Sequence, residues 1–104
     1  MSFILGIDYD EMRAVAREFE RGAAGATDVL TQTGQATQAA LDAWDGVASD
    51  EFGAQAQSCA ARAAPLPGML SRIAGILRDT ADMVQEAEER ARREIDERLR
   101  RGEI

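Results

Sequence analysis

Few residues in this chain are of a type that does chemistry, and their spacing builds no reaction centre. Among its 104 residues there is no histidine, and Cys59 and Tyr9 are the sole cysteine and tyrosine. A thiol becomes a useful nucleophile when a neighbouring base or cation holds it as thiolate, and no base stands out beside Cys59. The carboxylates are strung along segments of helical period, where such residues form solvated, salt-bridged faces rather than an acid–base pair. Neither a His/Cys spacing nor an oxygen-rich loop is available for a metal, and no glycine-rich loop follows a strand to cradle a phosphate. No catalytic residue, cofactor or metal is therefore expected. A lone cysteine closes no intrachain disulfide, and Cys59 reads as a buried structural thiol. What remains is a protein that works by interaction.

Composition narrows the partners. The formal net charge is -7, and a protein that neutralises phosphates or anionic lipid needs a basic excess, so nucleic acid is excluded as a general partner. All twelve basic residues are arginine. No run approaches the roughly 20 apolar residues that span a bilayer. The opening residues 1–7 are apolar but lack a basic region ahead of them and run straight into acidic residues, so no secretory signal of the general type is read there. Length gives a single domain, and an aromatic content of 5% with abundant alanine predicts thin packing between helices.

The elements that must position any interacting surface are two long amphipathic arms on either side of Trp44-Asp45-Gly46. Asp8 with Glu11 three residues on forms a capping box, which starts a helix near residue 9. Met12, Val15, Phe19, Gly22, Ala26, Leu30, Thr33, Thr37, Ala40 and Trp44 then alternate steps of three and four, the seam of a helix running to about residue 43. At 1.5 Å per residue such a rod is about 50 Å long and must bury its stripe along an equal length. Gly22, Gly25 and Gly34 each weaken it by up to about 1 kcal/mol relative to alanine. For Gly22 and Gly25, close approach of a neighbouring helix is the competing reason for the small residue.

Residues 44–49 form the turn: Gly46 supplies a position free to take positive φ, and the indole of Trp44 plugs the end of the helix pair. Ser49 as N-cap, with Asp50 and Glu51 in the first turn, starts the second helix at residue 50. Two prolines and a glycine in Pro65-Leu66-Pro67-Gly68 predict a kink or break. Periodicity resumes at Met69 and Ile73, passes through the doublets Ile76/Leu77 and Met83/Val84, and continues by Ala87, Ala91, Ile95 and Leu99 to about residue 101, where Gly102 stops it. Matching the arms by equal rise sets Tyr9 opposite about Thr80. Everything beyond overhangs: Phe3, Ile4, Leu5 and Ile7 cover the first part of that overhang on Met83, Val84 and Ala87, and the tail from about 88 to 104 projects as a solvated helix or frays.

The fold expected is all-α, a single helical hairpin over residues 1–104. Each hairpin has narrow stripes and few large side chains, so Met12, Val15, Phe19, Leu30, Ile73 and Leu77 are the packing positions and one face stays uncovered in a monomer. A dimer is expected, most simply with itself.

The W-x-G triplet of Trp44 and Gly46 between two acidic, alanine-rich helices, in a chain near one hundred residues, resembles the WXG family of small helical hairpins, the early-secreted-antigen-like substrates of type VII secretion. The resemblance spans nearly the whole chain. It implies pairing, with itself or a related WXG hairpin, into an antiparallel four-helix bundle. It also implies export of the folded protein without a cleaved signal, from the cytoplasm to the outside, after recognition by a secretion ATPase. The stringent recognition element, a tyrosine with an acid four residues later in the second helix, is not met, because Tyr9 lies at the other end. The looser family pattern, apolar-xxx-acidic-xx-apolar-xxx-apolar, fits Val84, Glu88, Ala91 and Ile95. The proline break is a second departure.

Two further readings compete with a secretion substrate or a companion of a larger exported toxin. An intracellular structural or adaptor hairpin would use the same helices, with Trp44 only as a plug. A lipid-associated helix is disfavoured because residues 86–101 balance six arginines against six acids.

Overall fold

The computed structural model describes residues 6–103, and among them every regular element is a helix. The elements are α1 (Tyr9–Asp42), α2 (Val47–Ala63) and α3 (Leu66–Arg100). They form a helical hairpin whose second arm is interrupted once. The expected cover by Phe3, Ile4 and Leu5 lies outside the described residues; Ile7 is exposed.

The start of α1 is set by Asp8, whose carboxylate accepts the Glu11 N–H at 2.9 Å and whose carbonyl accepts the Met12 N–H at 3.1 Å. Asp10 and Glu11 add negative charge where the helix dipole favours it. At the other end the Ala43 and Trp44 N–H groups reach back three residues to Ala40 and Leu41, both at 3.3 Å, tightening the last turn. Gly46 then takes φ 112° and ψ -175°, a region essentially reserved for glycine. The new helix begins directly after it, at Val47, with the Gly46 carbonyl accepting the Asp50 N–H at 3.1 Å. Ser49 is therefore not the N-cap expected of it. It lies inside the first turn, buried, and its hydroxyl donates to the Trp44 carbonyl at 2.7 Å.

The break in the second arm is narrower than the proline spacing predicts. It occupies Ala64 and Pro65 alone, and α3 resumes at Leu66. Ala64 keeps helical dihedrals, its N–H bonds to the Ala60 carbonyl at 2.8 Å, and the Pro65 carbonyl accepts the Met69 N–H at 3.1 Å. Pro67 falls in the first turn of α3, where a backbone N–H has no helical partner to lose.

The described residues group into two compact units: those up to Glu18 with Ile73 onward, and Phe19–Arg72. In the first, Ala16, Ala74 and Ala81 are wholly buried, so α1 and α3 are held by small side chains. Register is marked by Arg13, which donates to Asp82 at 2.7 Å and Gln85 at 2.5 Å and lies 5.5 Å over the Tyr9 ring. The start of α1 thus meets α3 further along than equal rise predicts. Glu88, expected to open the solvated tail, is instead 0% exposed, with Arg92 at 3.2 Å. The wholly exposed stretch starts at Arg92.

The second unit is thin. Ala23 and Ser49 are buried, while Phe19, Leu30, Leu41 and Leu70 are half-buried. A Cβ on Gly22 would meet Leu70 at an ordinary 3.8 Å, and at Gly25 and Gly34 it would meet nothing. Close helix approach within the hairpin explains none of these. The tight contact is at Gly53, where a Cβ would sit 3.4 Å from Leu41.

Candidate functional site

The turn and the faces beside it concentrate what this hairpin can offer a partner. Trp44 stacks obliquely on Phe52, with ring centroids 5.8 Å apart and planes at 47°. It is nevertheless 44% exposed, so the indole caps the turn on one side and shows its other side to solvent rather than sealing the helix end. Four residues act together here: Gly46 makes the reversal, Ser49 ties the Trp44 carbonyl, and Phe52 supports the Trp44 ring. Phe52 went unread in the sequence, although its place on the first turns of α2 put it within reach of the tryptophan.

Two concavities flank this cluster. One, of about 440 Å³, is walled by Trp44, Asp45, Ser49, Asp50 and Gln57. The larger, about 520 Å³, is an uncharged groove between α1 and α2, lined by Leu30, Leu41, Phe52, Gly53, Cys59 and Ala63 among others. Cys59 is exposed at its wall, not the buried thiol its lone occurrence suggested. Alanine and glycine around it leave too little side-chain volume to cover the sulfur. Among the described residues no three His, Cys, Asp or Glu side chains stand together as a metal site.

Helix α3 carries two apolar faces. Leu70, Ala74, Leu77, Ala81 and Val84 turn inward or half inward, while Leu66, Met69, Ile73, Ile76 and Met83 remain exposed. The doublets Ile76/Leu77 and Met83/Val84 were the sequence signal for this, since adjacent helical residues lie about 100° apart and cannot share one face. Of the expected packing positions, Met12, Phe19, Leu30 and Leu77 are half-buried, whereas Val15 and Ile73 are exposed. The residues fitting the export pattern are not presented together: Val84 and Ala91 are half-buried, Glu88 is buried, and only Ile95 is open.

The sequence profile of WXG100, proteins of 100 residues with WXG, matches residues 5–89. The chain belongs to the WXG100 family. That places it among proteins of the type VII secretion substrate kind. Among solved structures, Geobacillus thermodenitrificans EsxA (crystal form I) is similar, with a TM-score of 0.78 and 19% identity over 86% of this chain and 99% of that one. At that identity the likeness establishes the shared helical-hairpin fold. No curated protein matches the chain. WXG100 membership gives the Trp44-Asp45-Gly46 turn its meaning: the triplet is the element the family is described by, and here its glycine adopts a conformation that only glycine holds without strain.

Proposed function

We propose that this protein is a non-enzymatic type VII secretion substrate that acts as a paired hairpin, with a second copy of itself or a related WXG hairpin, and leaves the cytoplasm folded and without a cleaved signal. The observation that carries this reading is the outer face of α3, where Leu66, Met69, Ile73, Ile76 and Met83 are all exposed. A contiguous apolar stripe on a helix is normally covered by another helix, and each large side chain that leaves water contributes about 1.5–3 kcal/mol when fully buried. Among the described residues no helix is long and apolar enough to cross a membrane, so the stripe is not a bilayer-spanning segment.

A companion role beside a larger exported protein is favoured by a separate observation. Glu88 is the acid of the Val84, Glu88, Ala91 and Ile95 pattern, and it is buried. A secretion ATPase could read it only after this end of the hairpin opens. In the companion reading the partner displays the signal, and Ile95 is this chain's open contact. Expression in a host with its type VII ATPase intact or deleted tests export. The protein should enter the medium only in the intact host. Retention in the cytoplasm of both, even beside its genomic neighbours, favours the adaptor reading.

A further inference from the structure

The stripe on the outer face of α3 is not chemically uniform. Leu66, Met69, Ile73, Ile76 and Met83 are exposed along it, and two of these are methionines. Leucine and isoleucine side chains are inert to mild oxidants, whereas a thioether sulfur carries a lone pair that attacks a peroxide. Of the chain's four methionines, Met1 lies outside the described residues and Met12 is half-buried. Met69 and Met83 are open, at 49% and 69%.

Their placement gives that chemistry a consequence. They stand about four helical turns apart, about 21 Å at helical rise, on one side of α3, with Ile73 and Ile76 between them. The buried residues of α3 are Ala74, Ala81 and Glu88, so a change at the two sulfurs alters the outer face and leaves these untouched. Methionine also reshapes to fit different neighbours, which suits a stripe that is to be covered by a second copy or by a related hairpin.

We infer that Met69 and Met83 are an oxidation site that controls pairing: a peroxide converts both thioethers to sulfoxides, and the sulfoxide form of the chain stays a folded monomer. This rests on the pairing proposed above, with the outer face of α3 as the covered surface. In the step, the sulfur lone pair attacks one oxygen of hydrogen peroxide, and an S–O bond forms as the O–O bond breaks. The proton on the transferred oxygen passes to the departing one, which leaves as water; sulfur loses two electrons and the peroxide gains them. The product sets a polar oxygen where an apolar side chain stood, and covering it with another helix strips its water without supplying a hydrogen-bond donor. Because the two sites bracket Ile73 and Ile76, the loss reaches the whole length of the stripe. A paired chain shields both sulfurs, so the monomer is the form that reacts.

A chain carrying Cys59→Ser, which removes the exposed thiol as a competing target, is compared with the same chain carrying Met69→Leu/Met83→Leu, a swap that keeps side-chain volume. Each is treated with hydrogen peroxide, quenched with catalase, and followed by peptide mass spectrometry, circular dichroism and sedimentation. In the first chain Met69 and Met83 should each gain an oxygen before Met12 does, and more slowly as the chain is concentrated through its dimer transition. The dissociation constant should rise about tenfold or more with the helical signal retained, and fall back when methionine sulfoxide reductases acting on both epimers restore the thioethers. The leucine variant should pair with the same affinity before and after treatment. An oxidised chain that pairs as tightly as the untreated one, or a leucine variant weakened by peroxide as much as its parent, overturns the site and leaves the pairing intact, as does loss of the helical signal on oxidation. A chain that is monomeric at all concentrations before treatment removes both.

Discussion

Trp44 and Gly46 do different work at the turn, and substitution separates them. Gly46 at φ 112° needs the freedom of a residue without Cβ, so Gly46→Ala should destabilise by about 1–3 kcal/mol, read as a lower thermal midpoint with the helix content retained. Trp44, half open to solvent, loses less on truncation than a buried indole would: about 1–2 kcal/mol for Trp44→Ala, below the 3–5 typical of full burial. A loss at or above that upper figure would show the exposed side of the ring covered in solution. Gly25 gives the opposite sign. Nothing lies within 4 Å of a Cβ there, so Gly25→Ala should raise the thermal midpoint by the equivalent of up to about 1 kcal/mol. A fall would mean that a second chain lies against that glycine.

At the scale of the helices, the tail divides at Ala91. Glu88 is buried with Arg92 beside it, and everything from Arg92 to Glu103 is exposed. Removing residues 93–104, which keeps Arg92 beside Glu88, should leave the helical signal per residue unchanged at high concentration while weakening association. Removing residues 88–104 takes away a buried carboxylate's share of the packing and should lower the thermal midpoint further. Circular dichroism of the two truncations, melted at matched concentration, checks the order; equal midpoints would place Glu88 outside the packing of this end. The arginine–acid pairs within the tail, Arg98 with Glu94 and Arg101 with Glu97, are exposed and spaced by four, so each adds only about 0.3–0.5 kcal/mol of helix support.

For the molecule as a whole, the hairpin, its α1 boundary and the W-x-G reversal were legible because they rest on local signals: Asp8 as a cap, a three-and-four repeat, and a glycine where no other residue fits. The start of α2 was misread because Ser49 has the side chain of an N-cap, yet the conformation of Gly46 lets the helix begin earlier, and the hydroxyl is used on Trp44 instead. The register of Arg13 on Asp82 and Gln85 was not legible, since it is set by side chains some seventy residues apart in the chain. That shift turned Glu88 from an exposed recognition residue into a buried one. The second apolar face of α3 was half visible in its doublets but could not be assigned to a face without the register.

The central claim is that this hairpin is completed by a second one. Sedimentation equilibrium of the purified full chain, from high nanomolar to high micromolar, measures it directly. The account predicts a reversible monomer–dimer transition, with a thermal midpoint that climbs with concentration as association stabilises the fold. A monomer throughout that range, melting cooperatively at one concentration-independent temperature, would contradict it.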